Sequence, residues 1–112
     1  MKGRKTMLQV GENIIVNTDD EADIELAEDT ELVAITCGLK LNSTITASSI
    51  SDLGFTFCLQ RTIYTLSRQE VNPQEFNIKW RKKPDDIFIP LAIVTALIIC
   101  GVDTEIFKEI RF

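Results

Sequence analysis

Two clusters of charge and three cysteines are the groups in this chain whose type and spacing could do chemistry. The first cluster is acidic: Asp19, Asp20, Glu21, Asp23, Glu25, Glu28, Asp29 and Glu31 fall within thirteen residues. Carboxylates at that density suit a divalent cation, a basic protein surface, or a cleft that otherwise holds nucleic-acid phosphates. The calcium pattern fails. Asp19, Glu21 and Asp23 would fill loop positions 1, 3 and 5, but Ile24 stands where the loop needs glycine and Thr30 where it needs glutamate. No metal site is expected, and the run reads as a solvated or partner-facing acidic edge.

The second cluster is basic. Lys79, Arg81, Lys82 and Lys83 surround Trp80, and cations around an aromatic are what recognition of phosphates or lipid headgroups uses. If Phe76, Ile78 and Trp80 alternate into a core, then Lys79 and Arg81 point outward and Lys82-Lys83 solvate a turn. Residues 1–60 carry 4 basic and 10 acidic side chains, while 61–112 carry 8 and 7. That asymmetry suggests a complementary partner, and the acidic edge of one copy could meet the basic cluster of the next.

The thiols offer less. Cys37, Cys58 and Cys100 form no CxxC pair, and three cysteines without histidine cannot build a zinc-like cluster. Each stands in an apolar setting and is expected to be a buried small hydrophobe, a usage that suits a reducing compartment. With no histidine, the common acid–base and nucleophilic triads are excluded. GxSxG, P-loop and GxGxxG motifs are absent as well. The expectation is a chain that is not an enzyme and uses no cofactor.

The elements that must carry these groups belong to one domain, 1–112, since 112 residues support one core. At 45% apolar and 26% charged the composition is that of an ordinary globular chain. A net charge of −5 argues against direct binding of nucleic acid. The basic start lacks an apolar stretch of the secretory kind, so a cytoplasmic location is expected.

Most of the chain has the period of strands. Residues 6–10 and 13–17 flank Gly11-Glu12 as a hairpin. Ala22, Ile24 and Leu26 alternate with acids as an edge strand, which is preferred to a helix that Thr18 and Glu21 would start as a capping box. Residues 32–41 put Val33, Ile35, Cys37, Leu39 and Leu41 on one face, and the Ser/Thr-rich 44–50 is expected to fold back on them as a hairpin. Phe55, Phe57 and Leu59 alternate until Gln60-Arg61, where a bulge fits; 67–74 reads as loop, and Phe76, Ile78 and Trp80 form a last strand.

Then the period changes. Residues 87–102 are uncharged, with Asp85-Asp86 before them, Pro90 in the first turn and Gly101 at the end, which is helix punctuation. Ile106, Phe107 and Ile110 suggest a short closing helix. An apolar-all-round helix must be covered by protein or lipid. Sixteen residues span about 24 Å, short of the roughly 30 Å of a bilayer core. Protein cover, shared between subunits of an obligate oligomer, is therefore preferred. The alternative is a span at 87–102 with the basic cluster on the cytoplasmic side.

The stretch 76–103, a strand followed by Asp-Asp and an apolar helix, is loosely similar to the C-terminal end of tubby-like and scramblase-like barrels. The resemblance implies a barrel enclosing the helix. It covers about a quarter of the chain and serves as a picture of burial rather than an assignment.

The expected fold is α+β: a mostly antiparallel sheet or partial barrel of six to seven short strands packed on one fully apolar C-terminal helix, then a short closing helix. The expected function is a non-enzymatic interaction or assembly module that self-associates, of the kind found in small assembly subunits or virus- or phage-encoded accessory proteins. The alternatives are a membrane-anchored subunit and an acidic inhibitor that mimics nucleic acid through residues 19–31.

Overall fold

The computed structural model describes residues 7–19 and 31–112. Its strands are β1 (Leu8–Val10), β2 (Asn13–Asn17), β3 (Val33–Cys37), β4 (Ile45–Ser48), β5 (Gly54–Leu59), β6 (Ile63–Tyr64), β7 (Glu70–Val71) and β8 (Gln74–Lys79). One helix, α1 (Phe88–Ile99), and a 3-10 helix, Thr104–Lys108, complete the described residues. The class is α+β. Six strands form a mostly antiparallel sheet in the order β1-β2-β3-β4-β5-β8, and β6 pairs with β7 in a separate ribbon. The sheet is open, so the barrel picture does not hold.

The β1–β2 hairpin forms as its sequence dictates, with Gly11 in the turn. The strand expected over Ala22–Leu26 lies outside the described residues. The 32–41 hairpin is corrected: β3 runs parallel to β2 on one side and to β4 on the other. The reason lies in hydroxyl chemistry. Thr36 Oγ1 accepts the Thr44 N–H at 2.8 Å, and buried Ser43 donates its hydroxyl to Thr18 Oγ1 at 2.9 Å. These side chains hold residues 38–44 as a loop where a hairpin ladder would have formed. Because the ladder ends at Cys37, Leu39 and Leu41 belong to that loop and are exposed, Leu41 at 92%; Val33, at the other end of β3, is exposed too.

The consequence is a sheet of two three-stranded halves. β2 and β3 share five register pairs, β5 and β8 six, but β3 and β4 share only Cys37↔Ile45. The core crosses that narrow joint. Ile15, Ile35 and Cys37 from one half and Ile45, Phe57, Phe76 and Ile78 from the other cluster with Leu91, Val94, Ile98 and Ile99 of α1. Phe57 stacks on Phe76, and Phe76 on Phe107 of the 3-10 helix. β2 is buried on both faces, with Ile14 and Val16 forming a second small cluster with Met7 and Leu32.

The predicted bulge at Gln60-Arg61 is where β5 leaves the main sheet, and the loop expected over 67–74 contains β7. The helix is shorter than its apolar segment. Asp86 Oδ1 accepts the Phe88 N–H at 3.0 Å at its start. At its end Val102 N–H reaches Leu97 O and Gly101 N–H reaches Ile98 O, the paired bonds of a Schellman cap, with Gly101 at φ +100°. Twelve residues span about 18 Å. No helix among the described residues is long and apolar enough to cross a membrane. The closing helix is a 3-10 turn capped by Asp103, which accepts the Glu105 N–H. It buries Phe107 and leaves Ile106, a third of a turn away, exposed; Ile110 falls beyond the end of the helix at Lys108 and is exposed as well.

Candidate functional site

The inner face of α1 is closed and its outer face is not. Ile89, Ile93 and Leu97 are exposed at 45%, 43% and 38%, while Leu91, Val94 and Ile99 are fully buried. The three recur every fourth residue, which places them in one row on the helix surface. Cys100 follows the row and is also exposed, so the expectation of a third buried thiol is corrected. The helix C-terminus has one more apolar neighbour: Leu66, itself exposed, donates its N–H to Ile99 O at 2.8 Å. Among the described residues, the helix expected to be covered on every side is covered on its inner face alone.

The basic cluster forms a ridge at the end of β8. Lys79, Arg81, Lys82 and Lys83 are all exposed. Trp80 is not part of the exposed ridge: its ring stacks on Phe55 and its indole N–H donates to Ser51 O at 3.0 Å. It supports the ridge from beneath and cannot stack on a ligand. The chain end adds a cation that sequence reasoning missed. Phe112 N–H donates to Lys79 O and Arg81 N–H to Phe112 O, which bridges Arg111 to Lys79. Separated by thirty-two positions, the two carried no local signal of proximity. The ion pairs among the described residues are Arg68–Glu12 at 3.8 Å and Lys108–Glu105 at 2.9 Å, and neither involves the ridge.

Of the predicted acidic residues, Asp19 and Glu31 are described, and both are exposed. Asp19 works inside the fold: its Oδ2 accepts the Leu39 N–H at 3.1 Å, tying the end of β2 to the loop after β3. A side chain at Gly38 would meet that carboxylate at 3.0 Å, so the residue there must be small. Asp20, Glu21, Asp23, Glu25, Glu28 and Asp29 lie outside the described residues. Of the predicted site residues the structure thus describes six, the four basic ones and Asp19 and Glu31, and all six are exposed.

The Cys37 thiol sits at the joint of the two half-sheets, with its Sγ 3.8 Å from Thr95 Oγ1. Burial pushes its pKa from 9.0 up to about 12, and the Thr95 hydrogen bond offsets only part of that. A thiol held neutral is a poor nucleophile. Among the described residues no group of His, Cys, Asp and Glu could hold a metal ion. An open groove of about 550 Å³ lies between the β1–β2 turn and the β6–β7 ribbon, lined by Gly11, Val33, Tyr64 and Leu66 and crossed by the exposed Arg68–Glu12 pair.

Compared with protein-family models, curated proteins and solved structures, the chain matches none of them.

Proposed function

We propose that this chain is a non-enzymatic assembly module that associates with a second copy of itself through the outer face of α1. The observation that carries the proposal is the row Ile89, Ile93 and Leu97 at solvent-facing positions of a helix whose inner face already closes the core. Those positions would accept lysine or glutamate at a cost to the monomer of about 1 kcal/mol or less each. Apolar residues there serve something outside it. A row spaced at four residues packs against its own symmetry mate, ridge into groove, about a two-fold axis.

The size of the face sets the strength. Three large side chains a little under half open expose roughly 250 Å², about a third of what one side of a standard interface buries. Both sides together would yield about 12 kcal/mol at about 25 cal/mol per Å². Lost translational and rotational freedom costs about 4–15 kcal/mol. The balance is a reversible dimer of micromolar or weaker affinity, unlike the obligate oligomer that complete cover of the helix would need.

Sedimentation velocity over a concentration series tests this. In about 0.5 M salt, which screens contacts between surface charges, the wild type should pass reversibly from monomer to dimer, and Ile93→Lys should stay monomeric with an unchanged circular dichroism spectrum. A wild type that is monomeric at every concentration refutes the proposal, as does an Ile93→Lys variant that associates normally.

A further inference from the structure

We infer that the basic ridge at the end of β8 docks the acidic segment 20–31 of a second copy, giving a head-to-tail contact distinct from the α1 face. The inference rests on the reading of this chain as a self-associating module and assigns it a second surface. Its first support is charge complementarity: Lys79, Arg81, Lys82, Lys83 and Arg111 stand exposed without a carboxylate partner among the described residues, and segment 20–31 carries seven acids.

Geometry then favours a second copy over the same chain. The register puts Lys79 opposite Gly54, and Leu59 opposite both Ile45 and Gln74, so the ridge lies at the end of its half-sheet remote from the Cys37↔Ile45 joint. Asp19 is tied beside that joint and Glu31 precedes the start of β3. Three strand spacings and five residues of rise separate the joint from Lys79 by roughly 22 Å, and the start of β3 is roughly 30 Å away. A path from Asp19 to Lys79 and back to Glu31 is thus about 52 Å, whereas twelve residue steps extend at most about 42 Å. The segment cannot lay its length along its own ridge.

Such a contact is heterologous, so it propagates into rings or open chains unless capped. Carboxylates also border the ridge: Asp85 and Asp86 follow it, Glu109 lies two residues before Arg111, and Asp52 precedes the Leu53 carbonyl that the Trp80 N–H binds. They lower its net charge and make the contact salt-labile.

The test uses a charge swap in the full chain, with the wild-type α1 face and again with Ile93→Lys. One variant carries Lys79→Glu, Lys82→Glu and Lys83→Glu; the other carries Asp20→Lys, Glu21→Lys, Asp23→Lys and Glu25→Lys. Wild-type association should weaken at least tenfold between about 0.05 M and 0.5 M salt as screening shortens to a few Å. Each variant alone should lose that salt-sensitive part, and mixing the two should restore it. If a reversed variant fails to fold, Lys82→Gln/Lys83→Gln supplies the same comparison by neutralisation. Variants that associate like the wild type, or a mixture that restores nothing, overturn the inference. So does a reversal that abolishes only binding to phosphatidylserine vesicles, which would make the ridge a lipid surface. Association that is salt-independent and lost only with Ile93→Lys sinks this inference alone, whereas a monomeric wild type sinks both readings.

Discussion

Alkaline pH should loosen this fold through one thiol. Cys37 is fully buried at the single pair that joins the half-sheets, under Thr95 of α1. Below pH 9 the thiol is neutral in the folded and unfolded chains alike, so its contribution is intact. Above pH 9 the unfolded chain ionises it, while the folded chain holds it neutral up to about 12. The folded state therefore binds the proton more tightly, and stability falls as pH rises through that window. Each pH unit is worth about 1.4 kcal/mol, which gives about 3 kcal/mol lost by pH 11 and about 4 by pH 12. Against a total of about 5–15 kcal/mol that is a large fraction. Urea unfolding followed by the fluorescence of Trp80, the sole tryptophan, would be measured from pH 7 to 11 for the wild type and Cys37→Ala. Every other side chain is common to both chains, so the difference in slope isolates the thiol. The variant should start less stable and lose stability less steeply above pH 9. Equal slopes would mean that Cys37 ionises without opening the joint, and the packing of α1 across it would be wrong.

Other consequences are simpler to check. A thiol reagent should label Cys100 alone in the native chain and all three cysteines after unfolding, since Cys37 and Cys58 are buried. Leu91→Ala should cost about 3 kcal/mol by cavity formation, and Ile93→Ala, two residues on and on the open face, about 1 kcal/mol or less in monomer stability measured in urea. Gly54→Ala should lower the melting temperature more than Gly101→Ala. The first places a Cβ 2.1 Å from Ile78 O and forces β5 from β8, whereas the second meets no atom within 4 Å and strains only φ, at about 1 kcal/mol.

What the chain reveals by pattern is local. Alternation located the last strand because Phe76, Ile78 and Trp80 all reach the core. Proline, acidic residues and glycine marked both ends of α1. The β1–β2 hairpin was legible because a glycine turn joins two short runs. The parallel arrangement of β3 was not. Thr36, Ser43 and Thr44 look like strand residues by propensity, yet their hydroxyls bond across a loop, and propensity does not say where a hydroxyl points. Arg111 joined the basic ridge through a bridge between distant residues, which no window along the sequence can register. Lys79 was legible as exposed because its strand alternates, and Lys82-Lys83 because charges past a strand's end solvate a turn, but the role of Trp80 as their support required its partners, Phe55 and Ser51.

The apolar segment shows why the most conspicuous sequence feature was the least informative about direction. A helix tells inside from outside by the contrast between its faces, and 87–102 has no such contrast. Only packing separates Leu91 and Val94, which close the core, from Ile89, Ile93 and Leu97, which do not. Scattered exposed aliphatic residues are ordinary on any protein. Three in register on one short helix form a patch, and a patch without charge gives water nothing to solvate. The joint beneath it adds a second reason for this helix to be apolar. With one register pair between the half-sheets, the inner residues of α1 must hold Ile35 and Cys37 on one side and Ile45 and Phe57 on the other. Association at the outer face would then brace the helix that braces the sheet. On that argument, in about 0.5 M salt that screens charge contacts, the wild type should resist urea better as its concentration rises, and Ile93→Lys should show no such dependence; a midpoint independent of concentration in both would separate the helix's structural role from any part in assembly.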